Sequence, residues 1–173
     1  MTPWIYALIV HGVLGGLDIV INHEIIARLP RQPSLWLEVR LHSIRELIFA
    51  TVFLGLAWFE WHGAWAIVLG LLFVGEVFVS TVDTVLELDL RQLPVTERIM
   101  HVLMLINLGV VMTLLVPDAG AWFDQPTALV RTHHGLLSYI LFGQGILALG
   151  WSIRDARAQH CLKQAHRKAS WQA

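Results

Sequence analysis

Long apolar runs dominate the chain, broken by short clusters of charge, proline and glycine. A helix needs about 20 mostly apolar residues to cross about 30 Å of hydrocarbon. Five stretches meet that length: Trp4 to Glu24, Leu37 to Glu60, Ala64 to Leu88, Thr96 to Val116, and Leu129 to Ile153. Each is bounded by residues that punctuate helices. Beyond Arg154 the sequence turns polar and basic. The pattern predicts an all-α integral membrane protein, with five transmembrane helices over residues 1–153 and a basic cytoplasmic tail over residues 154–173. The first stretch has no basic leader and no small-residue cleavage site, and it carries Asp18, so it is expected to stay on the chain rather than be cleaved as a signal peptide.

Composition sharpens this picture. Hydrophobic residues make up 56% of the chain and charged residues 14%, against about 25% charged in a soluble domain. A net charge of -1 lacks the basic footprint of a nucleic-acid binder. Cys161 is the single cysteine, which rules out an intramolecular disulfide and a multi-thiolate metal site.

Charge also sets an expected orientation, because cytoplasmic loops carry the excess of lysine and arginine. Eleven of the twelve basic residues fall on one side of a five-span layout: Arg28, Arg31, Arg40 and Arg45; Arg91 and Arg98; and the tail from Arg154 to Lys168. Only Arg131 lies opposite. The amino terminus is therefore expected outside and the carboxyl terminus in the cytoplasm, in a plasma membrane of the bacterial inner-membrane type. Trp4, Trp58, Trp61, Trp65 and Trp122 cluster at the outer ends, and Trp36 and Trp151 at the inner ends, as interfacial aromatic belts do.

Ionisable side chains within a bilayer are costly and mark function by default. Asp18, Glu46, Asp83 and His101 lie about five to nine residues from the cytoplasmic ends of their helices, roughly 8–13 Å deep at 1.5 Å per residue. Asn22, His23, His42, Glu87 and Glu97 form a layer just outside them. His42 with Glu46, Asp83 with Glu87, and Glu97 with His101 are four apart, hence each pair shares a helix face. A weak internal repeat accompanies them. Asp18 and Asn22 precede Leu29-Pro30 and a helix with His42 and Glu46, while Asp83 and Glu87 precede Leu93-Pro94 and a helix with Glu97 and His101. The first four helices are thus expected to form a pseudo-twofold bundle around a polar cluster in the cytoplasmic leaflet. Glu38, Arg40, Glu97 and Arg98, at helix ends, also fit solvated headgroup anchors or salt bridges. Gly12, Gly15, Gly16, Gly143 and Gly145 fit close helix packing.

A set of carboxylates and imidazoles without sulfur suits iron, manganese or zinc. The pattern resembles the ferritin-like di-iron carboxylate proteins, in which two helices give one carboxylate each and two give a Glu-x-x-His pair. That resemblance implies two transition-metal ions, iron favoured, with zinc or manganese as alternatives, held by Asp18, His42, Glu46, Asp83, Glu87, Glu97 and His101. Here three residues rather than two separate the paired ligands, and the second helix reads His before Glu.

The expected function is a membrane-embedded metalloenzyme, a di-iron oxidoreductase acting on a lipid or quinone-like substrate whose anionic head meets Arg45 or Arg98. The expected partners are the bilayer and a hydrophobic small molecule; self-association is left open. Two alternatives stand beside it. One is a proton or divalent-cation transporter using Glu76 as a mid-membrane relay. The other is an electron-transfer subunit with haem between His11 and His133 or His134.

The basic asymmetry generates the first test. A fluorescent protein that folds only in the cytoplasm, fused after Ala173, should give bright cells. A dark fusion expressed at a normal level would refute the orientation.

Overall fold

The computed structural model describes residues 2–170, Ser170 by its backbone alone. It is all-helical, with five helices long and apolar enough to cross a membrane. The spans run over Pro3–Arg31, Pro33–Trp58, Ala64–Leu90, Val95–Phe123 and Leu136–Ala169. Their α-helices are α1 (Pro3–Asp18), which reaches membrane length only with the helical turns that continue it, α2 (Trp36–Trp58), α3 (Ala64–Leu90), α4 (Val95–Phe123) and α5 (Leu136–Ser170). This count and composition fit a multi-pass membrane protein. Residues 171–173 of the expected tail lie outside the described residues.

Two antiparallel strands, β1 (Phe59–His62) and β2 (Ala128–Arg131), close one end of the bundle in the register Phe59 to Arg131 and His62 to Ala128. They replace the ends expected for the second and fifth helices. The last turn of the second stretch and the first of the fifth pair with each other, so their backbone groups are satisfied between strands. Gly63 and Gly135, both at positive φ, let the chain turn into the helices that follow. The fourth helix runs seven residues beyond Val116, straight through Pro117. Proline removes one backbone donor from the helical ladder, and apolar surroundings favour keeping every other bond internal.

The fifth helix continues without a break through Arg154, so the basic segment up to Ser170 is helical. Its packing against α2 is the most extensive helix contact among the described residues. Gly145 of α5 makes this possible: a Cβ there would sit 2.7 Å from Leu54 Cγ and 3.1 Å from the Leu54 backbone nitrogen. Gly12 packs as expected too, against Gln144, whereas Gly16 and Gly143 face open space. Around this seam α1 lies along α4 and α3 along α2. The apolar core, from Trp4 and Leu8 through Phe53, Leu56, Phe73 and Val111 to Leu141, fills the half nearer the sheet.

At the opposite end, where the basic loops gather, α1 widens into a π-helical segment, Ile19–Ile26. Short turns over Leu29–Arg31 and Pro33–Leu35 lead into α2. Leu29, Leu35 and Val39 pack there with Leu162 of α5.

Overpacking the α2–α5 seam should be costly. Gly145→Ala is expected to lower stability by about 1–3 kcal/mol. Gly70→Ala, with nothing within 4 Å of its added carbon, should leave it unchanged or raised. Thermal unfolding in mild detergent checks both.

Candidate metal centre at the basic end of the bundle

The π-helical segment decides which side chains of the first span face inward. In an α-helix Asp18 and His23 would point about 140° apart at 3.6 residues per turn. The wider turn, a feature frequent at functional sites, brings both inside, 2% and 6% exposed. His23 Nε2 lies 3.5 Å from Asp18 Oδ2 and 3.3 Å from Glu97 Oε1. Asn22 fixes the carboxylate: its Nδ2 donates to Asp18 Oδ1 at 2.7 Å, and its Oδ1 accepts from Thr96 Oγ1 at 2.7 Å.

Opposite them, α2 and α3 meet through His42, whose Nε2 lies 3.0 Å from Asp83 Oδ2 and 3.3 Å from Glu87 Oε1. On α4, His101 reaches Asp18 Oδ2 through Nε2 at 3.3 Å and Glu87 Oε2 through Nδ1 at 3.4 Å. The His23 and His42 rings stack with centroids 4.3 Å apart, so the two sides of the cluster are one unit.

The arrangement is crossed. His42, on the helix that follows Asp18, pairs with Asp83; His101, on the helix that follows Asp83, pairs with Asp18. The two hairpins thus interlock with approximate twofold symmetry, and the equivalent pairs are Glu38-x-x-x-His42 and Glu97-x-x-x-His101. Glu38, expected as a solvated anchor, is fully buried.

Arg91 sits between these two glutamates. Its Nη2 donates to Glu38 Oε1 at 2.7 Å and its Nη1 to Glu97 Oε2 at 2.8 Å. Burial works against the guanidinium charge, yet the bonds to Glu97 and Glu38 hold its pKa above the ordinary arginine value. Both acids have no exposed surface, and Arg91 keeps only 14% of its side chain accessible.

Three groups of side chains are disposed to hold a cation, each with ligand atoms within 4.8 Å of one another: Asp18, His23 and His101; Glu38, His42 and Glu87; and Glu87, Glu97 and His101. Six of the seven expected ligands fall in this network, Asp83 through its contact with His42. His23 and Glu38 belong to it and were not expected there. Glu38 carried a signal, since the Glu-x-x-x-His spacing occurs twice, each time after a Leu-Pro. His23 carried one as well, its depth in the layer beside the cluster, but α-helical periodicity turns it away from Asp18 and so out of the expected ligand set.

The seventh expected ligand, Glu46, stands apart. It is in none of the three groups, and neither of its carboxylate oxygens has a hydrogen-bond partner among the described residues. Arg45 is committed to Glu76 Oε1 at 3.2 Å and Asp83 Oδ2 at 2.9 Å. Ser80 Oγ also donates to Glu76 Oε1, at 2.7 Å, so one oxygen of the acid expected as a relay is held twice, while Oε2 is buried without a hydrogen-bond partner among the described residues. Arg98 is exposed on α4, facing away from the cluster. The three histidines of the haem alternative pack on different partners: His11 on Phe49, His133 on Trp58 and His134 on Trp4. Outside the spans, partial burial lowers the His134 pKa, with His133 beside it adding to the effect and Glu60 opposing it.

Removing Arg91 would leave two buried carboxylates facing each other, so Arg91→Ala should destabilise the metal-free protein by about 3–5 kcal/mol. Arg91→Lys, which keeps the charge but loses the fork, should recover only part. Thermal unfolding of the two variants beside wild type measures both. No protein-family model, no curated protein and no solved structure matches this chain.

Proposed function

We propose that the chain is a membrane-embedded metalloenzyme whose carboxylate and imidazole cluster holds two transition-metal ions, iron favoured, and that it oxidises a hydrophobic substrate. In this reading the centre lies in the cytoplasmic leaflet of a bacterial inner membrane, with the amino terminus outside.

The carrying observation is the charge imbalance of a buried, oxygen- and nitrogen-rich network. Asp18, Glu38, Asp83, Glu87, Glu97 and Glu76 bring six carboxyls, and Arg45 and Arg91 bring two guanidiniums. With the carboxyls ionised and the imidazoles of His23, His42 and His101 neutral, as metal ligands are, these leave four negative charges, the amount that two divalent cations supply. An uncompensated buried charge is otherwise strongly destabilising. Unengaged polar atoms point the same way: Asp83 Oδ1 is buried without a hydrogen-bond partner among the described residues, and His23 Nε2, Glu87 Oε2 and His101 Nε2 lie 3.3–3.5 Å from opposite-type groups without forming hydrogen bonds. Such atoms are rare unless something else engages them.

Glu87 and His101 occur in two of the three ligand groups each, so both would be shared between the groups that hold metal. Asn22, with Thr96 behind it, orients Asp18, the outer support that ligating carboxylates need. Arg91 fixes Glu38 and Glu97, which belong to two different ligand groups, in place. Bound iron would supply one-electron chemistry with dioxygen; the protein supplies geometry, charge balance and exclusion of water.

Purified wild-type protein should carry about two transition-metal ions per chain, as di-metal carboxylate bundles do. Glu87→Ala or His101→Ala should lose most of that metal, while Glu60→Ala, at the sheet end, should keep it. Elemental analysis in mild detergent decides. Metal-free wild-type protein that is folded and active would overturn the proposal. Proton or metal flux in liposomes that disappears in Glu76→Gln would favour the transport alternative instead.

A further inference from the structure

A cavity of about 350 Å³ lies between α1, α2 and α5, with Asp18, His23 and His42 of the metal cluster in its wall. That size is within the range of ligand pockets, roughly 300–1,000 Å³. Its other walls are largely apolar, built by Phe49, Phe53 and Met104. On the α1 side, Gly15 and Gly16 in place of larger residues leave the space open: a Cβ at Gly16 would meet nothing within 4 Å, and one at Gly15 only Met104 Sδ at 3.8 Å. Val20 and Leu147, on opposite rims, are 43% and 61% exposed, so the mouth faces outward between α1 and α5 through apolar side chains.

The apolar wall carries a few polar atoms with nothing to bind. Both oxygens of Glu46, Nε1 of Trp151, Oε1 of Gln144 and Nδ1 of His11 are buried without a hydrogen-bond partner among the described residues. Glu46 is 8% exposed and His11 4%. Leaving buried polar groups unpaired costs about 1–3 kcal/mol each. Together they offer both a donor, at the indole, and acceptors, at the carboxyl and amide, within a pocket that otherwise takes hydrocarbon. Arg45, the cation in the wall, is already bound to Glu76 and Asp83, so nothing there is set to receive an anionic head.

We propose that this cavity binds a lipid-soluble alcohol or phenol that slides in sideways between α1 and α5, its hydroxyl held by Glu46 and Trp151 next to His23 and His42. The hydroxyl donates to the Glu46 carboxyl and accepts from the Trp151 indole, while the carbon chain lies along Phe49 and Phe53 toward the mouth. This names the substrate class of the proposed metalloenzyme and rests on that reading for its chemistry. Binding itself needs only the cavity.

Equilibrium binding of radiolabelled n-decanol to the purified full chain in lipid nanodiscs tests it. Wild type should show a saturable site that empty nanodiscs lack. The double variant Gly15→Leu, Gly16→Leu should abolish the site, and an unchanged thermal transition shows that it is folded. Glu46→Leu should weaken binding about tenfold, and Glu46→Gln by no more than about threefold, because the amide still donates and accepts. n-Decane should not compete, and decanoate and decylamine should compete more weakly than decanol. Non-saturable decanol, a site that survives the double variant, or tighter binding of decane, decanoate or decylamine would overturn the assignment. Metal content is read on the same samples. Saturable decanol on metal-free wild type would refute the two-metal centre alone, and metal without a decanol site would refute this inference alone.

Discussion

Carboxylates removed from water must be neutralised by something close at hand, and this constraint shapes the half of the bundle away from the sheet. Two guanidiniums do part of the work. Arg45 ties α2 to α3 through Glu76 and Asp83, and Arg91 ties the loop before α4 to Glu38 and Glu97. Three imidazoles take up further contacts. The balance of carboxylates over guanidiniums is what supports the proposed metal pair.

The division of the molecule into two halves follows from the same constraint. Near the sheet, apolar side chains from Trp4 to Leu141 interlock and need no partners beyond each other. At the other end, position matters more than volume, because a displaced carboxylate loses its counter-charge. The π-helical segment, with its poorer packing economy, occurs at that end and carries Asn22 and His23 inward. It was kept where orientation outweighs regularity.

Much of this was legible in the residues. Five apolar stretches correspond to five helices, and depth along each stretch picked out Asp18, Glu46, Asp83 and His101, with His42, Glu87 and Glu97 in the layer beside them; all but Glu46 come together. Where reading failed, the cause is physical. Glu46 is one α-helical turn from His42, so spacing put it on the same face, but at that level α2 faces the cavity and α5 rather than α3. Glu38 read as an interfacial anchor because helix ends usually meet water; the partner that buries it, Arg91, is 53 residues away. His23 turns inward only through a local change of helix type that periodicity does not encode. The strands were hidden because four residues in each of two apolar runs look like helix until their partner is known.

The crossed pairing of the two hairpins has a further meaning. Each hairpin brings an aspartate on its first helix and a Glu-x-x-x-His on its second, yet its own histidine reaches for the aspartate of the other. A single hairpin is therefore half of a site and cannot complete itself by folding, whereas two copies of one hairpin placed face to face would make a whole. The geometry is that of a symmetric dimer written into one chain, and the fifth helix, which packs on α2 and lines the cavity on that side, is what makes the two halves unequal.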